Sequence, residues 1–260
     1  MIIDTHVHLD TKRFKTDIDE VLKRARNKGI NKFIIPAIDS KDMTRLINLT
    51  EQHSDIYFAT GHHPNRLDNF DFDLIESQVG HKKCVAIGEC GLDWFRIPKG
   101  ADINDIKMAQ KEVFEKQIGL SIKYKKPLIL HSRDTDDDMV ETLMKYKDEL
   151  VGGVIHCYVG SEKLLELEKY NFYFGIGGVI TYKSATDLRE NIKKIPLNKL
   201  LIETDAPYLT PEPYRKKRNE PAFTREILTE MSKILEIDEK ELELIIEENT
   251  NRLFFKDLSK

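Results

Sequence analysis

The chain has 260 residues, 40% hydrophobic and 33% charged, with a net charge of −4. Such a composition excludes a disordered or fibrous chain and leaves an ample core. No run reaches the roughly 18 apolar residues of a membrane span, and a negative balance argues against a protein that wraps long duplex DNA through many phosphates. Cys84, Cys90 and Cys157 form no Cys-x-x-Cys pair, and no basic-then-apolar leader opens the chain. A reduced, cytoplasmic setting is expected.

In chain order, short apolar runs alternate with helical patterns. Residues 2–5 read as a strand, followed by a helix near 17–28 that Gly29 ends. Residues 32–35 form a strand before a helix near 40–53, and 56–60 one before a short helix near 71–79. Residues 84–88 lead through a loop with Pro98 and Gly100 to a long helix near 104–125, where Ile106, Phe114, Ile118 and Ile122 make a stripe at helical spacing. Strands at 128–131 and 152–156 precede helices near 135–148 and 161–170, the latter with Ser161 as N-cap. Strands at 171–176 and 200–203 follow, separated by a helix near 184–194. Two further helices, near 222–235 and 238–248, and a tail at 249–255 expected to pack back on the barrel finish the fold. Eight strand–helix units predict an α/β protein, a single (β/α)8 barrel over 1–260 with extra C-terminal helices.

Chemistry-bearing residues cluster just after these strands. Six of the eight histidines, His6, His8, His62, His63, His131 and His156, follow strand-like runs, as do Glu89, Glu203 and Asp205. His53 and His81 fall near helix ends and read as surface residues. A lone His-x-His is equally well two solvated histidines; the repetition argues for one pocket. An open doubly wound sheet would supply ligands from two or three strands. Here they come from the first, fourth, fifth, sixth and eighth, and a closed ring unites them. No Gly-x-Gly-x-x-Gly or Walker loop is present, so no nucleotide cofactor is implied.

Imidazoles and carboxylates suit zinc, manganese, iron, nickel or magnesium. The ligand number exceeds one catalytic zinc site and suits two divalent ions bridged by a carboxylate. Glu89 is the natural bridge, with His6, His8 and Asp205 on one ion and His131 and His156 on the other. A water between the ions would become the nucleophile, Asp205 would take its proton, and Glu203 would orient ligands. His63 and Arg133 are candidates to contact a substrate phosphate or carboxylate; an ion pair with Asp134 or Asp136 is the plainer role for Arg133. The run Arg215-Lys216-Lys217-Arg218 is either a solvated loop or a phosphate clamp at the rim, with Arg215 and Arg218 as its arms. Cys90 and Cys157 each follow a proposed ligand, but packing is the ordinary role of a free cysteine.

The blocks Asp4-Thr5-His6-Val7-His8, Gly61-His62-His63-Pro64, Gly88-Glu89-Cys90-Gly91-Leu92-Asp93, His131-Ser132-Arg133, His156-Cys157-Tyr158-Val159-Gly160, Glu203-Thr204-Asp205-Ala206-Pro207-Tyr208-Leu209 and Arg218-Asn219-Glu220-Pro221 resemble the TatD-type metal-dependent hydrolases, a branch of the amidohydrolase-like barrels. The resemblance spans residues 4–221. It implies metal ligands at His6, His8, Glu89, His131, His156 and Asp205, and a deoxyribonuclease of 3′-to-5′ exonuclease type acting on single-stranded or damaged DNA. Tyr158-Val159 and Tyr214-Arg215-Lys216-Lys217 depart from the family's usual Phe-Ser and His-Arg-Gly-Lys, at the substrate rim rather than at the metals. Two other expectations remain open: an ester or amide hydrolase, including one acting on aminoacyl-tRNA, and a metal-stabilised interaction protein without turnover.

Overall fold

The computed structural model describes residues 1–98 and 100–256. Eight parallel strands follow one another in ring order: β1 (Ile2–Asp4), β2 (Ile30–Pro36), β3 (Ile56–Thr60), β4 (Cys84–Asp93), β5 (Leu128–Arg133), β6 (Gly153–Ile155), β7 (Phe172–Ile176) and β8 (Leu200–Ile202). Thr5 N donates to Ile202 O (3.2 Å) and Asp205 N to His6 O (2.9 Å), which brings the eighth strand back beside the first. The barrel is therefore nearly closed, as the alternation of elements predicts. Parallel strands covered on both faces read as continuous apolar runs, and all ten residues of β4 are buried.

The helices are α1 (Ile18–Asn27), α2 (Met43–Gln52), α3 (Phe72–Gln78), α4 (Ile103–Tyr124), α5 (Asp136–Met144), α6 (Glu162–Leu165), α7 (Thr186–Asn191), α8 (Thr224–Leu235) and α9 (Glu239–Thr250). Several are shorter than the sequence pattern suggests. The segment near 161–170 is one α-turn capped by Ser161, whose hydroxyl accepts from Leu164 N, and it tightens to 3-10 geometry over Glu166–Tyr170. Likewise 184–194 divides into α7 and a tight turn at Ile192–Lys194. Packing on the sheet needs only one or two buried turns there, namely Leu164 and Leu167 in the first and Leu188 and Ile192 in the second.

Two apolar layers result. The larger joins the outer faces of the strands to the helices. The smaller takes residues from every strand, Ile3, Ile34, Ala59, Val85, Ala86, Ile129, Val154, Tyr173 and Leu201, and is completed by Phe254 and Phe255 from the tail. It fills the barrel lumen, and the tail packs back as expected. Deleting a buried Phe ring costs about 3–5 kcal/mol through lost burial and the cavity left behind. Phe254→Ala is accordingly expected to lose roughly 3 kcal/mol in urea unfolding; a loss below 1 kcal/mol would mean that the tail does not close the lumen.

Candidate metal centre

Strand periodicity carries the lumen layer directly into the polar cluster. Side chains two apart share a face. Ile129, Val154 and Leu201 lie in the lumen, so His131, His156 and Glu203 project inward one step further toward the strands' carboxyl ends. There His6, His8, His63, Glu89, His156 and Glu203 are buried. Asp4 fastens the first strand to the eighth: its carboxylate accepts from Thr204 Oγ1 (2.6 Å) and Thr204 N (3.0 Å). The bonds set His6 beside Asp205. Cys157 (φ 48°) and Asp205 (φ 54°) adopt left-handed backbone that non-glycine residues disfavour, and both sit where the chain leaves a strand beside a site residue.

Glu89 stands at the middle of the cluster, and its two oxygens face different partners. Oε2 lies 3.2 Å from His6 Nε2 and 4.0 Å from His8 Nε2. Oε1 lies 2.8 Å from His131 Nδ1, 3.4 Å from His63 Nε2 and 3.5 Å from His156 Nε2. Asp205 Oδ1 closes the first side, 3.1 Å from His8 Nε2 and 3.8 Å from His6 Nε2. Three sets of candidate ligand atoms fall within 4.8 Å of one another: His6, His8 and Asp205; His63, Glu89 and His131; and His6, His156 and Glu203. His63, expected from the sequence as a catalytic and substrate-contacting residue rather than a ligand, thus joins the His131 side.

Two further carboxylates hold the imidazoles from behind. Glu203 Oε1 accepts from His156 Nδ1 (2.9 Å) and from Cys157 N (2.6 Å), leaving His156 Nε2 turned toward Glu89. Asp93 Oδ2 meets His131 Nε2 (3.0 Å) and accepts from Asn65 Nδ2 (2.8 Å), leaving His131 Nδ1 turned toward Glu89. Carboxylates hydrogen-bonded to ligating histidines fix the ring's tautomer and aim. Asp93 is reached because β4 runs on to residue 93, past a register shift between Ile87 and Cys90. Gly91 (φ 136°) permits that path, since a Cβ there would stand 2.2 Å from His131 O.

The donor set fits divalent cations. Both ring nitrogens of His6, His8 Nδ1 and Glu203 Oε2 are buried without a hydrogen-bond partner. Unsatisfied buried polar atoms are costly, and the three sets, each offering one nitrogen or carboxylate oxygen per residue within 4.8 Å of the others, supply the donors a cation requires. The electrostatics agree. Burial disfavours the charged form of Glu89, but His63, His6 and His156, together with the His131 hydrogen bond, hold its carboxyl well below the usual range. Burial works against a charged His156, yet Glu203 and Glu89 push it up to about 10. Anionic carboxylates at this depth demand positive charge. Cys90 lies in the apolar core, and burial pushes its thiol up. Neither Cys90 nor Cys157 belongs to the ligand sets among the described residues.

Comparison with known proteins agrees with this geometry. Residues 3–255 match the family model described as TatD related DNase. The chain belongs to the TatD family. Among its TatD-like relatives, the "uncharacterized metal-dependent hydrolase YabD" of Bacillus subtilis is 40% identical over 98% of this chain and 99% of its own. The "3'-5' ssDNA/RNA exonuclease TatD" of Edwardsiella piscicida is 32% identical over 97% and 99%. The crystal structure of the Escherichia coli TatD homologue YjjV superposes with a TM-score of 0.89, at 31% identity and 97% coverage of both chains. Homologues named metal-dependent hydrolases and the ligand sets above together identify a metal-dependent hydrolase of the TatD family with a (β/α)8 barrel.

The remaining candidates occupy the rim of this TatD barrel. Arg133 packs its guanidinium over the Phe95 ring at 3.8 Å, rather than on Asp134 or Asp136. Arg215 lies over Tyr182 at 3.8 Å. Arg218 is held away from the cluster: both its terminal nitrogens bond Asp17 (2.9 and 2.6 Å), and one also bonds Arg13 O. Beside it Arg24 grips Glu220 in a second two-pronged pair. These contacts stitch the β1–α1 loop and α1 to the 218–220 segment. His62 turns from the centre and binds loop backbone, accepting from Ser40 N at 3.2 Å and meeting Arg66 O. His81 pairs with Glu51 at 3.3 Å, remote from the cluster.

Proposed function

We propose that this protein is a divalent-metal-dependent deoxyribonuclease that hydrolyses phosphodiesters at single-stranded 3′ ends. The observation that carries this reading is the Glu89 carboxylate, whose oxygens face two separate groups of imidazoles at 2.8–4.0 Å. We infer two ions, drawn from Mg²⁺, Mn²⁺, Zn²⁺, Ni²⁺ or Fe²⁺: one held by His6, His8, Asp205 and Glu89, the other by Glu89, His131 and His156. Such a pair, when bound, would supply an acidified water and positive charge for the leaving oxygen.

The chain's own groups do the rest. Asp205 holds the attacking water and takes its proton; its side chain is 14% exposed, so it is open to the substrate side. Glu203 fixes His156, and Asp93 fixes His131. His63, buried beside Glu89 with only its edge reaching the mouth, meets a phosphate oxygen of the substrate. Arg133 stands next in line with an unpaired guanidinium at the rim. The relative named an exonuclease on single-stranded DNA and RNA supports the substrate class, and the net charge of −4 suits a grip on a short strand end.

A labelled single-stranded oligodeoxynucleotide tests the reading. The protein is expected to shorten it from the 3′ end, to stop with chelator, and to resume when Mg²⁺, Mn²⁺ or Zn²⁺ is restored. Turnover of esters, amides or aminoacyl-tRNA with none of DNA would move the reaction to carbonyl carbon. Bound metal with no turnover of any of these would make the centre structural.

A further inference from the structure

Three large aromatic side chains among the described residues are exposed: Phe95 at 60%, Tyr208 at 46% and Tyr124 at 37%. Tyr124 ends α4, on the face away from the metal centre, and its hydroxyl donates to Glu76. The other two both stand at the mouth of the centre. Phe95 follows β4, and Tyr208 follows β8; those strands lie four steps apart in a ring of eight, on opposite sides of the barrel.

Each ring is tied to the metal centre. Phe95 N and Arg96 N both donate to Asp93 Oδ1 at 3.0 Å, while Asp93 Oδ2 holds His131. One carboxylate thus fixes both a candidate ligand and the loop that presents Phe95. Tyr208 N donates to Asp205 O (2.9 Å), and the Tyr208 ring meets His8 edge-on with centroids 6.0 Å apart. The buried Asn219 side chain holds the Tyr208 carbonyl from behind.

Each ring also carries a cation. The Arg133 guanidinium lies 3.8 Å from the Phe95 centroid and that of Arg13 lies 5.3 Å from Tyr208. Neither arginine has a carboxylate within 4.0 Å among the described residues, in contrast to Arg218 and Arg24 nearby. A water-exposed ring beside an unpaired guanidinium offers a stacking face and a phosphate partner together, which is the chemistry that holds single-stranded nucleic acid.

We propose that Phe95 with Arg133, and Tyr208 with Arg13, form a two-sided clamp that stacks the bases on either side of the reacting phosphodiester of a single-stranded DNA end. The clamp rests on the phosphodiesterase reading of the metal centre and adds its selectivity. Duplex bases have both faces covered and cannot enter it. Every base has a π-face, so the clamp is indifferent to sequence.

The test crosses protein rings with substrate bases. Phe95→Ala and Tyr208→Ala are each expected to raise KM for an oligothymidylate, and Kd for its phosphorothioate analogue measured by anisotropy, by about tenfold or more. Phe95→Trp and Tyr208→Phe should restore both to within about twofold, which loss of a merely structural contact would not predict. On an oligonucleotide with abasic positions beside the cleaved bond, the alanine penalties should shrink to about twofold, because no base remains to stack. Leu244→Ala, on the remote α9 surface, controls for loss of an exposed apolar group. Equal penalties on normal and abasic strands, or none on either, would overturn the clamp and leave the nuclease reading standing. Ring-dependent binding without cleavage would support the clamp and remove the nuclease reading. Wild-type protein that binds no oligonucleotide would end both.

Discussion

Asp205→Asn is expected to lower single-strand cleavage by about 10²–10⁴-fold, the usual worth of a positioned general base, with an unchanged circular dichroism spectrum. The substitution keeps the shape of the side chain and the backbone bond from Asp205 N to His6 O at 2.9 Å, so the β1–β8 seam survives. What disappears is a proton acceptor. Burial would raise the Asp205 carboxyl, but the His8 hydrogen bond and the neighbouring His156 hold it ionised below its ordinary range. An amide at that place can neither accept a proton nor offset the imidazoles. Retention of wild-type cleavage by this variant would remove Asp205 from the reaction. A collapsed spectrum would show that the carboxylate is needed for the seam itself.

Glu89→Gln is expected to have the second large effect, and to act on metal content before it acts on rate. Both oxygens of Glu89 are used, one toward His6 and His8 and one toward His63, His131 and His156. Glutamine keeps one oxygen and turns an NH2 donor toward the other group, where a cation would have to sit. Metal affinity should fall by well over the roughly 10–100-fold typical of losing an outer hydrogen-bonding partner. Elemental analysis after dialysis should then read below the wild-type stoichiometry, and cleavage should be lost with it. Full metal content in Glu89→Gln would show that this residue does not bridge. The same measurement on His131→Ala should show loss confined to one of the two ions.

Most of the barrel and the heart of the site are legible in the sequence for a single reason: the strand period of two. An apolar residue in the lumen is followed two positions later by an inward polar group, as in Ile129 and His131, Val154 and His156, and Leu201 and Glu203. The pattern needs no knowledge of distant contacts. It fails where the strand is irregular. Alternation breaks at Gly88-Glu89, so β4 reads as ending near residue 88, and Asp93 goes unmarked as the partner of His131. A second acidic residue four positions after Glu89 was the available signal.

Long-range pairing is the other thing local pattern cannot give. The Arg215–Arg218 run reads as a free basic cluster because the carboxylate that claims Arg218, Asp17, lies 201 positions away in sequence. Asp4 is similar: it looks like a strand end, but its partner Thr204 lies 200 positions on. Burial pushes the Asp4 carboxyl up to about 8, against the two Thr204 hydrogen bonds. The adjacent His62 and His63 are indistinguishable by composition. Only the turn after β3 decides that His63 faces Glu89 while His62 binds the loop backbone.

The proposed centre has Glu89 between two cations at the carboxyl end of the barrel. Anomalous diffraction at the manganese edge, from crystals grown with Mn²⁺, measures it directly. The expected map has two peaks about 3.5–4 Å apart, the spacing of two-metal hydrolytic sites. One peak should lie against His6, His8 and Asp205, the other against His131 and His156, with Glu89 touching both. A single peak that Glu89 does not touch, or no peak within the cluster, would contradict it.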